Sequence, residues 1–346
     1  MSVADQTLAV PGLRFGADAF AADVLRGLSR TPKAIPPMYF YDERGSRLFG
    51  QITEQDEYYL TRCEAEILQT CVGDLASFLR RGAFRLIELG AGDGTKTETL
   101  LGYFLTHALE FDYFPIDICQ QAVTNLTHSI RRKLPRLVRH VHGITAEYAG
   151  GVSLFGGQRD RRNVVLFLGS SIGNFDPPAT RKFLRDLHAS LNEGDYLLIG
   201  FDLKKDVAVL SAAHNDRQGI TREFNFNLLD RINRELGGDF DRNRFMHYSP
   251  YNAQRGCMES WLVSREDQQV RIDALDRAFL FRAWEGIRVE RSYKYSVADV
   301  DDLAAGTGYT VRQHFVDRRG YFLDSLWELP DPARPMQNGP PPRPPH

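Results

Sequence analysis

Leu86-Ile87-Glu88-Leu89-Gly90-Ala91-Gly92-Asp93-Gly94-Thr95-Lys96-Thr97 decides the fold, because an apolar strand runs straight into a glycine turn and out into the start of a helix. Glycines at alternate positions remove the Cβ atoms that would keep a backbone from lying against a ligand. The first helical residues turn free N–H groups toward the same place. A tight βα turn is the competing account of the same residues.

The spacing narrows the ligand. A dinucleotide fingerprint reads G-x-G-x-x-G, whereas this loop reads G-x-G-x-G, with Glu88 shortly before it and Lys96 shortly after it. That departure points away from NAD. The following strand, Phe111-Asp112-Tyr113-Phe114-Pro115-Ile116-Asp117, ends in a carboxylate roughly 20 to 30 residues past the loop, where a ribose diol lies in folds of this kind. Glycine loop plus strand-end acid is the general pattern of an S-adenosylmethionine-dependent methyltransferase.

Composition agrees with a globular enzyme. Of 346 residues, 42% are hydrophobic and 25% charged, close to an average soluble domain. Single cores stop growing near ~250–300 residues, so one large domain or two unequal ones are expected. A net charge of −2 gives no long-range attraction for nucleic acid, and the basic runs at 131–133 and 159–162 read as solvated faces. No stretch reaches the roughly 18 apolar residues of a membrane span, and the N-terminus lacks a signal-peptide layout. The expectation is a cytoplasmic monomer acting on a small molecule, with neither nucleic acid nor membrane as partner. Cys63, Cys71, Cys119 and Cys257 form no C-x-x-C pair, which argues for reduced thiols and against a zinc site; no metal is expected.

Along the chain, Asp18 is a candidate N-cap for a helix reaching Leu28 and ending before Pro32 and the Pro36-Pro37 pair. Met38-Tyr39-Phe40-Tyr41-Asp42 and a helical pattern over 45–68 extend this into a cap. From Phe84 to Phe201 strands alternate with helices, which predicts a parallel α/β sheet. Beyond Asp202 a helix around 228–235 leads to two strand-like runs, 258–264 and 269–272, that look like a hairpin. A helix over 297–306 and the aromatic run 311–327 then close the sheet. The expected fold is a Rossmann-like class I methyltransferase sheet with an N-terminal helical cap and an inserted substrate-binding α+β subdomain. Its expected blocks are the cap (1–70), the cofactor domain (71–202), the insertion (203–285), the return to the core (286–329) and a disordered proline-rich tail (330–346).

The third strand of the alternation ends in Gly169-Ser170-Ser171-Ile172-Gly173-Asn174-Phe175, a small-residue loop at the carboxyl edge where open α/β sheets bind ligands. Asn174 carries an acceptor and two donors there, enough to hold an amine or a carboxylate. An Asx turn ahead of the next helix is the plainer reading.

With these residues in view, the chain resembles the histidine-specific methyltransferases of ergothioneine biosynthesis, which trimethylate the α-amine of L-histidine to hercynine. The likeness runs from Leu25 to about Leu329. It rests on Tyr39-Phe40-Tyr41-Asp42 with Gly45-Ser46, Leu48-Phe49, Glu57-Tyr58-Tyr59, Thr61-Arg62 and the Gly90 loop with Lys96-Thr97. Further along it rests on Gly169-Ser170 with Ile172-Gly173-Asn174, on Asp202-Leu203 with Lys205-Asp206, and on Glu290 with Ser292. The resemblance implies that Gly90, Gly92, Lys96 and Asp117 hold S-adenosylmethionine, with Lys96 at its methionyl carboxylate and Asp117 on its ribose. It implies that Tyr58 and Asn174 grip the amino acid end of the substrate, that Tyr41 meets the amine, that Glu290 and Ser292 read the imidazole, and that Met258 and Phe49 line the wall. Such a transfer needs alignment of nitrogen, methyl and sulfur more than it needs a strong base.

Two places depart from the family. A tyrosine that contacts the substrate carboxylate is replaced in His214-Asn215-Asp216; the shorter ring means that the backbone closes further, that a water intervenes, or that the substrate differs. A Gly-Asp-Phe run at the adenine edge is replaced by Gly143-Ile144-Thr145, so that Thr145 or the backbone stands where a carboxylate is expected. The first departure motivates an alternative substrate, another aromatic or modified amino acid. The second motivates a catalytically idle binding homologue.

Overall fold

The computed structural model describes residues 8–9, 17–80 and 82–330; the expected proline-rich tail lies outside the described residues from 331 onward. The chain opens with β1 (Leu8–Ala9), α1 (Ala17–Ser29), β2 (Lys33–Ala34), a 3-10 turn at Pro37–Phe40, α2 (Glu43–Thr53) and α3 (Tyr59–Leu79). The alternating region follows as β3 (Phe84–Leu89), α4 (Thr95–Thr106), β4 (Phe111–Asp117), α5 (Gln120–Lys133), β5 (Ile144–Thr145), α6 (Tyr148–Ser153), β6 (Arg162–Phe167), α7 (Pro177–Ser190) and β7 (Tyr196–Asp202). Next come α8 (Val207–Ala213), α9 (Ile220–Leu236), β8 (Phe245–Tyr248), β9 (Tyr251–Asn252), β10 (Cys257–Ser264), β11 (Gln268–Ile272), β12 (Arg277–Phe281) and β13 (Gly286–Tyr293). The described chain closes with α10 (Val297–Ala305), β14 (Thr310–Val316) and β15 (Phe322–Glu328).

The first sheet runs β1-β5-β4-β3-β6-β7-β15-β14, parallel up to β7, with β15 antiparallel to both β7 and β14. Strands β3 and β7 are buried at every position, as expected of a sheet covered by helices on both faces. From β3 the chain builds outward through β4 and β5, then returns to place β6 on the other side of β3. The order therefore reverses between β3 and β6, and the loops leaving those two strands face one crevice. These are the Gly90 loop and the Gly169-to-Asn174 loop.

A second sheet runs β2-β13-β10-β8, with β9 also on β10. Its core is shared by segments far apart in sequence: Phe20, Val24 and Phe40 from the N-terminal region pack with Phe224, Leu228 and Ile232 of α9 and with Leu262 and Ile287 of the strands. Asp42 fastens α2 to this lobe, since its carboxylate caps the helix by accepting from Gly45 N–H at 2.7 Å and also accepts from Asn227 Nδ2 at 2.8 Å. Cap and insertion are thus one body.

Four expectations need correction. The runs around β10 and β11 do not pair with each other. Strand β10 is buried over most of its length and takes partners on both edges, whereas β11 and β12 alternate buried and exposed as a separate ribbon. Strand β13, placed by its sequence position in the return to the core, belongs to the second sheet; the first sheet is regained just after it, where Tyr295 N–H donates to Asp202 O at 3.0 Å. The boundary at residue 70 falls inside α3, whose apolar side packs into the first sheet's core. Asp18 lies in the first turn of α1, one residue inside the helix, where its charge still opposes the helix dipole. Among the described residues no helix is long and apolar enough to cross a membrane, and the four cysteines are free thiols.

Candidate active site

The three loop glycines all have positive φ, +69° at Gly90, +56° at Gly92 and +72° at Gly94, yet each is required for a different reason. A Cβ on Gly94 would lie 2.2 Å from Leu126, and one on Gly90 would lie 3.0 Å from the Tyr148 hydroxyl, while one on Gly92 would meet nothing within 4 Å. Gly92 is therefore the residue whose bareness opens outward into the crevice. Beneath the loop Glu88 is buried and accepts from Thr97 Oγ1 at 2.6 Å and from the Tyr113 hydroxyl, tying strand, helix and neighbouring strand together. Burial pushes its carboxyl up to about 7.

Asp117 ends β4 and is held by backbone donors: Cys119 N–H at 2.9 Å, with those of Gly92 and Ile118. Burial raises its pKa against those donors. Directly across the register is Thr145, whose Oγ1 is buried and has no hydrogen-bond partner among the described residues. Lys96 is not a free cation. Its ammonium is joined to the buried carboxylate of Glu64, whose other oxygen accepts from Gly169 N–H at 2.6 Å, so that this pair links the two crevice loops. Burial lowers the Lys96 pKa, but Glu64 outweighs it and the net shift is upward.

The other half of the crevice is built on β13. The register matches Ser260 with Glu290 but Trp261 with Arg288, so Val289 is an extra residue and the strand bulges there. The bulge re-aims the side chains: Glu290, Ser292 and Lys294 share a face with Met258 and Ser260, while Arg288 joins Arg291 and Glu259 on the reverse. Met258 stands opposite Ser292, and Ser260 Oγ donates to Glu290 Oε2 at 3.3 Å. Burial raises the Glu290 carboxyl. The turn at Ser171–Asn174 packs against this strand so closely that a Cβ on Gly173 would lie 2.9 Å from Tyr293 O. Asn174 at its end makes no side-chain hydrogen bond among the described residues; with Glu290 it borders a cavity of about 200 Å³ whose remaining lining comes mainly from Arg26, Arg30, Pro36 and Arg288, on the side away from the glycine loop.

His214 caps α8 and is buried beside Lys294, whose ammonium lies 3.3 Å from its Nε2. Burial, then Lys294, pushes the imidazole down to about 3, so it is neutral. Lys294 also donates to Ser292 Oγ at 2.7 Å and lies 2.7 Å from Asp202 Oδ2, with both of these charged side chains fully buried. Asp202 accepts from the Tyr59 hydroxyl at 2.7 Å and from Lys205. Burial acts to raise the Asp202 pKa, but the two lysines win and lower it. Removing the carboxylate from this group strands its buried ammonium groups, at a cost of about 3–5 kcal/mol, whereas loss of either lysine leaves Asp202 paired with the other.

Aromatic rings close the crevice. Tyr41 lies edge-on to Phe49 and Phe224, each at 5.6 Å, and Phe49 lies 6.2 Å from Tyr58. Tyr58 touches the cores of both lobes. The Tyr41 phenol is held well above its usual pKa, first by burial and then by Glu290, Tyr58, Tyr148 and Asp117. One hydroxyl thus stands within the field of the acid on β4 and of the acid on β13.

The family model described as histidine-specific methyltransferase, SAM-dependent, matches residues 20–329. The chain belongs to that family. It is 38% identical over 311 residues to histidine N-alpha-methyltransferase of Mycolicibacterium smegmatis, covering 90% of this chain and 95% of that one. The protein of the same name from Mycobacterium tuberculosis is 38% identical over 309 residues, covering 89% and 94%. Ergothioneine biosynthesis protein 1 of Neurospora crassa is 31% identical over 289 residues, 80% of this chain and 31% of that longer protein. The protein is an S-adenosylmethionine-dependent methyltransferase. The crevice suits that cofactor on its own evidence, since it offers a strand-end carboxylate, a buried hydroxyl beside it with no partner among the described residues, and a glycine whose Cβ would fill open space. Gly92→Ala is expected to weaken S-adenosylhomocysteine binding at least tenfold in calorimetry while the far-UV spectrum is kept; unchanged affinity would show that the loop is only a turn.

Glu64, Tyr148, Phe224 and Lys294 were not singled out from the sequence. Two of them left a trace: Lys294 continues the alternation of Glu290 and Ser292, and Glu64 is an acid on the buried stripe of α3 that includes Leu60, Leu68 and Leu75.

Proposed function

We propose that this protein transfers methyl groups from S-adenosylmethionine to the α-amine of L-histidine, three in succession, giving hercynine. The observation that carries the reading is that Glu290, half-buried, and Ser292, buried, stand two apart on one face of β13. Residues two apart on a strand are spaced about 6.5–7 Å, which leaves room for an imidazole edge between an acceptor and a hydroxyl.

In this reading the backbone at Gly90 and Gly92, the Asp117 carboxylate and the Thr145 hydroxyl hold the cofactor, with the Lys96–Glu64 pair at its methionyl end. Bound there, the sulfonium supplies an electrophilic methyl on a good leaving group. Tyr58 and Asn174 hold the amino acid end, and the His214 ring adds a single N–H donor in place of the family's phenol. Tyr41, kept as a phenol by burial, accepts an amine N–H and so turns the nitrogen lone pair toward the methyl. Phe49, Phe224 and Met258 exclude water from the transfer. An α-amine has a pKa near 8, so a useful fraction is unprotonated at neutral pH and orientation is the larger task.

The exchange at His214 favours one competing reading, a different aromatic amino acid as substrate. A screen of the common amino acids, read as S-adenosylhomocysteine release, separates the two: histidine should exceed every other by at least about 100-fold in kcat/KM. Preference for tryptophan or tyrosine would move the assignment to the competitor.

A further inference from the structure

We propose that Lys294 is a positioning residue that fixes the direction of the Ser292 hydroxyl, and thereby makes the site select a ring bearing one N–H and one bare nitrogen. The inference rests on the histidine reading above. An ammonium has three donors and no acceptor, and that of Lys294 has three partners: Asp202 Oδ2 at 2.7 Å, Ser292 Oγ at 2.7 Å and His214 Nε2 at 3.3 Å. Each partner is therefore an acceptor in that contact. Ser292 uses a lone pair on Lys294, so its proton points away from the ammonium, toward the crevice it shares with Glu290. His214 uses Nε2, so its proton sits on Nδ1.

The ammonium itself cannot wander, because Asp202 is held in turn by the Tyr59 hydroxyl at 2.7 Å and by Lys205. The face then presents an acceptor at Glu290 and a committed donor at Ser292. A neutral imidazole satisfies both. A ring with an N–H but no second nitrogen leaves the serine proton buried without a partner, and sites built on such a hydrogen bond reject the analogue lacking it by up to ~10⁴–10⁵-fold. Without Lys294, Ser292 is free to rotate and much of that rejection is lost.

The test compares histidine with its pyrrole isostere, in which C–H replaces the bare nitrogen, as substrates of wild type, Lys294→Met, Ser292→Ala and the double variant. Wild type is expected to favour histidine by at least ~10³-fold. Lys294→Met and Ser292→Ala should each lower that ratio at least tenfold, and the double variant no further than Ser292→Ala alone. Retained S-adenosylhomocysteine affinity checks the fold; Lys294→Met leaves Asp202 paired with Lys205, so no carboxylate is stranded, and Lys294→Leu carries the same readout if the methionine variant fails that check. A lysine variant that is slower but keeps full selectivity overturns the proposal, as does a double variant whose losses add. Wild type that methylates histidine without rejecting the isostere overturns it too, with the function left standing. Wild type that does not methylate histidine overturns both.

Discussion

Glu290→Ala is expected to lower kcat/KM for histidine by about 10²–10³-fold and to erase most of the preference over phenylalanine. Glu290 is half-buried on β13, and its carboxyl is the acceptor on the face it shares with Ser292, Ser260 and Met258. A hydrogen bond to a charged partner contributes ~1.5–3 kcal/mol, and an imidazole N–H left buried without an acceptor adds its own desolvation cost. Phenylalanine has no such N–H to orphan, so its rate changes little and the gap closes from the histidine side. The loss should fall mainly on KM, because in the proposed pose the residue meets the ring and not the reacting nitrogen. Cofactor affinity should be unchanged in calorimetry. A variant that keeps its preference for histidine contradicts the role given to Glu290.

Asp117→Ala has the second large effect, at the opposite end of the crevice. Its carboxylate stands where two ribose hydroxyls would donate, and two charge-assisted hydrogen bonds together are worth ~3–4 kcal/mol, or roughly 10²–10³-fold in cofactor affinity. The same carboxylate accepts from Cys119 N–H at 2.9 Å and from the Gly92 backbone, so the variant also loosens the glycine loop and should lower the melting temperature by several degrees. Asp117→Asn separates the two effects, since it keeps an acceptor for the loop and loses the charge. Acid acts in the same direction as the mutation: burial raises the Asp117 pKa, only the ionised form accepts from both hydroxyls, and cofactor affinity therefore falls as pH drops through that raised value. Asp117→Ala that binds cofactor as tightly as wild type at neutral pH, or a variant whose weaker binding keeps the full wild-type loss in acid, would remove this residue from the site.

The parts of the molecule legible in the sequence are those encoded locally. The strand β3, its glycine turn and α4 lie within a single short stretch, and Asp117 and Asn174 each end a strand or turn that announces itself by alternation of apolar and small residues. What was not legible depends on pairings between distant segments. Nothing in the run Gly286–Tyr293 says that it joins β10 rather than the first sheet, and nothing in it marks Val289 as the extra residue, because a bulge is a property of two strands in register. Burial of β10 on both edges, which ruled out the expected hairpin, likewise appears only once β8 and β13 are in place. The union of cap and insertion rests on contacts such as Phe40 with Phe224, ring centroids 4.7 Å apart although the whole run from β3 to β7 lies between them in sequence. The two departures at His214 and Thr145 were visible as residues but not as environments. Their settings are supplied by the fold: His214 meets a lysine ammonium, and the Thr145 hydroxyl lies beside Asp117 with no partner among the described residues.

The central claim is that one crevice holds a methyl donor against Asp117 and an imidazole against Glu290, with the substrate's α-amine between them at Tyr41. Mass spectrometry of histidine incubated with the protein and S-adenosylmethionine tests it most directly. The expected product is heavier by three methyl groups, all of them on the α-nitrogen in the fragmentation spectrum. Histidine returned unchanged by protein that binds S-adenosylhomocysteine, or methylated on the ring, would contradict it.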